Sequence, residues 1–154
     1  GGENRNLEFK STLRFCLKTL KPENYIEYNI TKAIVALANT EGGLLLIGVD
    51  DKGNVLGLEN DINSFKKKSA DAFLLHFDNL IMNSFTEPID DLLTYGFETS
   101  QGGKFFMIKV NKSHKPRFLI TKRKGKEFYI RRSASAYNLD IEETHQYIID
   151  KWYS

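Results

Sequence analysis

Ala36-Leu37-Ala38-Asn39-Thr40-Glu41-Gly42-Gly43-Leu44-Leu45-Leu46-Ile47-Gly48-Val49-Asp50-Asp51 is the stretch that decides the fold. Upstream of it Ile30, Ala33, Ile34, Leu37 and Ala38 recur at helical spacing, so a helix over about 30–39 is predicted with its apolar stripe on the core. Glu41-Gly42-Gly43 stops that helix and allows backbone to pack closely. Leu44 to Val49 then reads as a strand covered on both faces. Asp51-Lys52-Gly53-Asn54 is turn chemistry leading into Val55-Leu56-Gly57-Leu58, which predicts a β-hairpin with Asp50 and Asp51 at the end of its first strand.

Working outward, Leu7-Glu8-Phe9-Lys10 alternates apolar and charged, as in a short half-buried strand with Glu8 and Lys10 on one face. Lys18 to Tyr28, with Pro22, reads as a loop. Ile62 to Phe85 reads as one long helix with Phe73, Phe77, Leu80 and Ile81 on a stripe, and with Lys66-Lys67-Lys68 near its start facing solvent or a ligand. Leu92 to Glu98 and Phe105 to Val110 are predicted strands joined through Ser100-Gln101-Gly102-Gly103. A third, Glu127 to Arg131, follows the basic turn Lys122-Arg123-Lys124-Gly125-Lys126. Ile141 to Trp152 closes the chain as an amphipathic helix, capped by Asp140 with Glu143 three residues on. Helices interspersed among hairpins favour an α+β fold, one compact domain of mixed or antiparallel hairpins with about three to four helices.

The chain has 154 residues, 41% of them apolar, which is enough for a core without metals or staples. Its only cysteine, Cys16, rules out an internal disulfide; a lone thiol suits a reducing compartment, and a cytoplasmic location is expected. No apolar run approaches the roughly 20 residues of a membrane span, and no signal-peptide pattern opens the chain, so no membrane partner is expected. Gly1-Gly2 reads as a cloning remnant, which sets the expected domain at 3–154; a homodimer and further domains stay open.

Net charge is +2, but 11 of the 22 basic residues and only one of the 20 acids, Glu127, fall between Lys104 and Arg132. That stretch carries +10 and the remainder −8. A basic segment on an acidic domain suits contact with a polyanion; it equally suits a solvated hairpin whose lysines blunt its edges. The candidates for binding RNA or DNA are Lys115, Arg117, Lys122, Arg123, Lys124, Arg131 and Arg132. Phe118, Tyr129 and Tyr137 interleave with them and could stack on unpaired bases, core packing being the stronger reading for Phe118. His76, His114 and His145 lack metal-ligand spacing.

Four segments in order carry a family resemblance: Glu3-Asn4-Arg5-Asn6-Leu7-Glu8-Phe9-Lys10; the Ala36–Asp51 stretch quoted above; Lys115-Pro116-Arg117-Phe118-Leu119; and Phe128-Tyr129-Ile130-Arg131-Arg132 with Ser133-Ala134-Ser135. Together they resemble the Schlafen/AlbA-type domain. The resemblance implies nucleic-acid binding, either as a non-catalytic DNA-binding module of a bacterial transcriptional regulator or as a metal-dependent endoribonuclease acting on structured RNA. In the second case it implies a carboxylate triad, matched here by Glu3, Glu8 and Asp51. These would hold Mg²⁺ or Mn²⁺ to neutralise charge on the phosphorane, with Lys10 steadying the scissile phosphate or attacking water. As ordinary residues, Glu8 would pair with Lys10 or Arg14 and Asp51 would serve a turn. Some descriptions of the family invoke ATP, but no Gly-x-x-x-x-Gly-Lys-Ser/Thr loop is present.

Overall fold

The computed structural model describes residues 6–154. In chain order the elements are β1 (Leu7–Lys10), β2 (Phe15–Cys16), β3 (Lys21–Pro22), α1 (Asn24–Ala38), β4 (Gly43–Ile47), α2 (Glu59–Asn63), α3 (Ala70–Ser84), a 3₁₀ turn (Asp90–Leu92), β5 (Leu93–Ser100), β6 (Gly103–Val110), β7 (Leu119–Ile120), β8 (Lys126–Arg132), β9 (Ser135–Leu139) and α4 (Ile141–Trp152). One sheet runs β1-β4-β6-β5, a second β7-β8-β9, and β2 and β3 form a small ribbon. This is the expected α+β architecture.

The consecutive apolar run Ala33 to Ala38 explains the layering. Every residue in it is at most 2% exposed, so the second half of α1 is buried all round and lies between the two sheets. On one side α1 meets the first sheet and α3, where Phe73, Phe77, Tyr95, Phe97 and Phe106 pack ring against ring at 4.8–5.7 Å between centroids. On the other it meets β8, whose successive residues Phe128 to Arg131 are all buried. Tyr129 joins the α1 core, while Phe128 and Ile130 join Phe118, Tyr147, Ile148 and Trp152 beneath α4. A strand covered on both faces is thus found in β8; in β4, Leu45 and Ile47 are buried while Leu44 and Leu46 keep partial exposure.

Several expectations need correction. α1 begins at Asn24 rather than near Ile30; its first residues, with Tyr25 exposed and Tyr28 part-buried, show no buried stripe in the sequence. The long helix over 62–85 is two: α2 ends at Asn63, and Ser69, in extended conformation, caps α3 by accepting from the Ala72 N–H at 3.1 Å. The three lysines lie exposed in the connection between them. The hairpin after β4 shrinks to one bridge, Val49 to Val55, because both the Leu56 and Gly57 N–H groups converge on the Gly48 carbonyl. β5 and β6 run further than expected, through Ser100 and from Gly103, across a two-residue turn with Gln101 and Gly102 both at positive φ. β9 was not anticipated; only its Leu139 is buried. The Asp140 and Glu143 capping box forms as expected.

Gly42 and Gly43 are required by close approach. A Cβ on Gly42 would lie 2.6 Å from the Val110 carbonyl oxygen, and one on Gly43 2.4 Å from that of Asn6. The Gly42 N–H closes α1 by donating to the Leu37 carbonyl at 2.8 Å.

The next two residues of α1's end tie the layers together. Asn39, fully buried, donates through its amide to the carbonyls of Arg117 and Tyr129, each at 2.9 Å, and accepts from the Arg117 N–H at 2.9 Å. Thr40 donates to the Ala36 carbonyl and accepts from the Arg131 N–H. The Arg131 side chain, with no exposure, ion-pairs with the buried Glu8 carboxylate and donates to the Leu7 carbonyl, joining β8 to β1. Two predictions follow from these contacts. Asn39→Ala strands three buried backbone groups and is expected to cost about 3 kcal/mol by urea unfolding. Arg131→Met leaves Glu8 without its guanidinium and is expected to cost about 3–5 kcal/mol, whereas Glu8→Leu with Arg131→Met recovers most of the loss. A single variant as stable as the parent would remove the pair from the fold's supports.

Candidate nucleic-acid interface

Burial divides the basic segment in two. Nine of its eleven cations are exposed; Arg117 and Arg131 are not, at 8% and 2% exposure. Arg117 donates from Nε to the Ser113 hydroxyl and from a guanidinium nitrogen to the Pro88 carbonyl. Arg131 is committed to Glu8, so both of these predicted binders are buried and hydrogen-bonded within the fold. Of the exposed set, Lys115 lies 2.7 Å from Glu87, and the Arg132 guanidinium sits over the Tyr137 ring at 5.2 Å. Lys122, Arg123 and Lys124 stand together on the exposed β7–β8 turn, with exposed Lys126 beside them at the start of β8.

That turn is shaped by its own backbone. The Thr121 N–H donates to the Gly125 carbonyl, the Gly125 N–H to the Thr121 hydroxyl, and Lys124 takes a positive φ of 65°. It overhangs the start of α1, and the two enclose a groove of about 470 Å³. Tyr25, Tyr28 and Lys32 line it from the helix, Lys122 and Arg123 from the turn, and Glu127 from below. The Lys32 ammonium stands 4.7 Å above the Tyr28 ring centroid and 5.6 Å from that of Tyr129. The Glu127 carboxylate accepts from the Tyr28 hydroxyl, from the Tyr129 hydroxyl at 2.8 Å and from the Asn138 amide at 3.0 Å.

Tyr25, Tyr28 and Lys32 escaped the sequence reading because they fall in a segment read as loop or, for Lys32, in a helix read only for its apolar face. Once α1 starts at Asn24, their spacing of three and four residues puts them on one face. Of the aromatics considered from sequence, Phe118 packs on Phe128, Tyr129 is 5% exposed, and Tyr137 keeps 48% exposure on β9. Another missed residue is Asp61, which is 2% exposed and accepts from the Thr12 hydroxyl and the backbone N–H groups of Leu13, Arg14 and Phe15.

The acidic candidates assemble only in part. Glu3 lies outside the described residues. Parallel pairing sets Glu8 opposite Leu45 and Lys10 opposite Ile47, and the N–H groups of Gly48 and Val49 both reach the Lys10 carbonyl. The Glu8-Phe9-Lys10 segment and the Asp50-Asp51 turn are therefore neighbours. Glu8, however, gives one oxygen to Arg131, and the other lies 3.5 Å from the Lys10 ammonium. Asp50 is the turn carboxylate, accepting from the N–H groups of Lys52 and Asn54; Asp51 is exposed. Arg14, the other partner considered for Glu8, bonds Ser64 instead. Among the described residues no three His, Cys, Asp or Glu side chains are grouped to hold a metal. In this arrangement each Glu8 oxygen already faces a cation, so Glu8 does not present the uncompensated oxygens that Mg²⁺ or Mn²⁺ seek.

Burial raises the Glu127 pKa, but the hydrogen bonds from Tyr28 and Tyr129, the Lys32 charge and the Asn138 amide outweigh it and hold the group below its ordinary 4.5. The same contacts push Tyr28, desolvated and donating to Glu127, up to about 12. A depressed carboxylate stabilises the fold above its unfolded pKa and loses that contribution as pH falls through the folded one. Thermal melts of the parent and Glu127→Gln are therefore expected to differ at neutral pH and to converge as pH drops below 4.5. A gap that stays constant would show that the charge on Glu127 does not hold the tyrosines.

No helix among the described residues is long and apolar enough to cross a membrane. Solved structures share the fold, among them the following two. The DIP2311 protein of Corynebacterium diphtheriae superposes with a TM-score of 0.62 at 17% identity over 97% of this chain, which spans 28% of that protein. The N-terminal domain of a RecG-related protein from Nitrosomonas europaea, named for an ATP-dependent DNA helicase, gives 0.54 at 20% identity, covering 93% of this chain and 88% of that domain. No curated protein matches. The family model described as Schlafen, AlbA_2 matches residues 3–140, stopping where α4 begins, and the chain belongs to that family.

Proposed function

We propose that this chain is a nucleic-acid-binding domain that holds RNA or DNA by its phosphates on the β7–β8 turn. The observation that carries the reading is the exposed cluster Lys122, Arg123, Lys124 and Lys126, whose one acidic neighbour, Glu127, is turned inward onto two tyrosines. Four cations within five residues form a local field with no acid aimed at it, and such a field attracts a polyanion. Family membership supports the reading, and in the Corynebacterium protein a fold of this kind is one part of a much longer chain. We place this domain likewise as a module of a larger protein such as a transcriptional regulator, with residues 3–154 as its span. Exposed Lys104, Lys109, Lys112, Lys115 and Arg132 add to the field without forming one patch, since Lys104 and Lys109 fall on opposite faces of β6.

A second reading, metal-dependent cleavage of structured RNA, is favoured by the juxtaposition of Glu8, Lys10 and the Asp51 turn. It requires Glu8 to leave Arg131, a rearrangement that would uncover a buried charge.

Fluorescence anisotropy on labelled RNA and DNA, titrated with salt, tests the first reading. Reversing Lys122, Arg123 and Lys124 to glutamate is expected to weaken binding by roughly tenfold or more at low salt. The loss should be uniform across sequences and flatten the salt slope by about two to three, since each phosphate contact contributes about 0.9. Unchanged affinity would move the interface elsewhere. In parallel, transfer RNA and DNA incubated with Mg²⁺ or Mn²⁺ are expected to stay intact. Discrete RNA fragments that need metal and vanish in Asp51→Ala would establish the second reading instead.

A further inference from the structure

We infer that the groove between the start of α1 and the β7–β8 turn receives one unpaired nucleotide, with its base against the tyrosines and its phosphate on Lys122 and Arg123, so that the domain prefers single-stranded over duplex nucleic acid. This rests on the nucleic-acid reading above and names the form of polymer that the site would take.

Three features of the groove support it. First, its volume of about 470 Å³ falls in the range of small-molecule sites, so a nucleotide-sized group can enter. Second, its chemistry is split as a nucleotide is split. Tyr25, 54% exposed, and Tyr28, three residues on along the same helix face, offer aromatic surface on the helix side, while Lys122 and Arg123 line it from the turn. Third, the interior is set in advance: Glu127 fixes the Tyr28 hydroxyl, and Lys32 is held over the Tyr28 and Tyr129 rings, leaving three cations against one fully bonded carboxylate.

Duplex bases are stacked on one another and present only phosphate and groove edges, so a duplex can use the cations but offers no free base face to the tyrosine rings. An unpaired base can be turned out to lie on an aromatic face, the general mode by which single strands are held. A smaller adjoining hollow of about 330 Å³ shares Tyr28 and Lys122 and continues past Asn24 and Thr31, which gives a strand leaving the first groove a lined path.

The test uses labelled oligothymidine and oligouridine and a blunt duplex of the same length, in anisotropy titrations with the whole chain. Tyr25 is exposed, so Tyr25→Ala should fold as the parent does, which its circular dichroism and melting would confirm. Tyr25→Ala is expected to weaken single-strand binding roughly tenfold while leaving duplex binding unchanged, and Tyr25→Phe should restore it, because stacking needs the ring and not the hydroxyl. Reversal of Lys122 and Arg123 should weaken both forms. Duplex bound as well as or better than the single strands, or a Tyr25→Ala variant with unaltered single-strand affinity, would overturn the inference while leaving phosphate binding in place. Absence of binding to every probe at low salt would overturn both.

Discussion

The buried polar contacts at the end of α1 hold the rest of the molecule in place. Asn39 bonds the backbone of Arg117 and Tyr129, Thr40 bonds that of Arg131, and Arg131 pairs with Glu8, so one helix terminus ties the loop after β6, the strand β8 and the strand β1 to itself. Such groups are costly to bury unless each finds its partner, and among the described residues no buried side-chain nitrogen or oxygen lacks one. The helix between the sheets supplies apolar area in every direction, but apolar area alone does not fix which strand lies where. The Asn39 amide, with donors and an acceptor in fixed positions, accepts one register of β8 and no other.

This arrangement explains the position of the basic turn. Arg117 and Arg131 are the two places where the basic segment dips into the interior, and the chain between them must leave the core and come back. The turn at its outer end carries Lys122 to Lys126, and since β8 is packed against α1, the turn comes to rest over α1's first residues. Anchoring and display are consequences of the same contacts.

How legible was this in the sequence? Strong periodicity and turn chemistry marked α4, β1, β6 and the helix-to-strand step at Gly42-Gly43, because there local preference and tertiary packing agree. The break between α2 and α3 was hidden: a Ser69 cap inside a run with helical spacing looks like one polar residue among many until its φ is known. β9 has almost no buried face, so no alternation announced it. For the proposed interface, counting charge picked out a segment but could not show that Arg117 and Arg131 within it are buried. The motif residues Asn39, Thr40, Glu8, Arg117 and Arg131, read as four separate signals, turn out to be one contact set, and this was not derivable from spacings of 78 to 123 residues.

The same contact set bears on how a site for chemistry and a site for fold compete for one carboxylate. A buried Glu8 must have a cation near it, and the fold supplies Arg131 and Lys10; a divalent metal would have to displace the Arg131 guanidinium from the carboxylate, breaking a buried ion pair at a cost of several kcal/mol. Affinity for metal at that position would first have to repay this loss. No comparable conflict exists at the β7–β8 turn, where the cations are already in water and binding a phosphate releases counterions instead of breaking a buried pair. Charge placed outside the core can be used without unfolding anything, and this physical asymmetry favours the exposed turn, over the acids of β1 and the β4 turn, in the function proposed above.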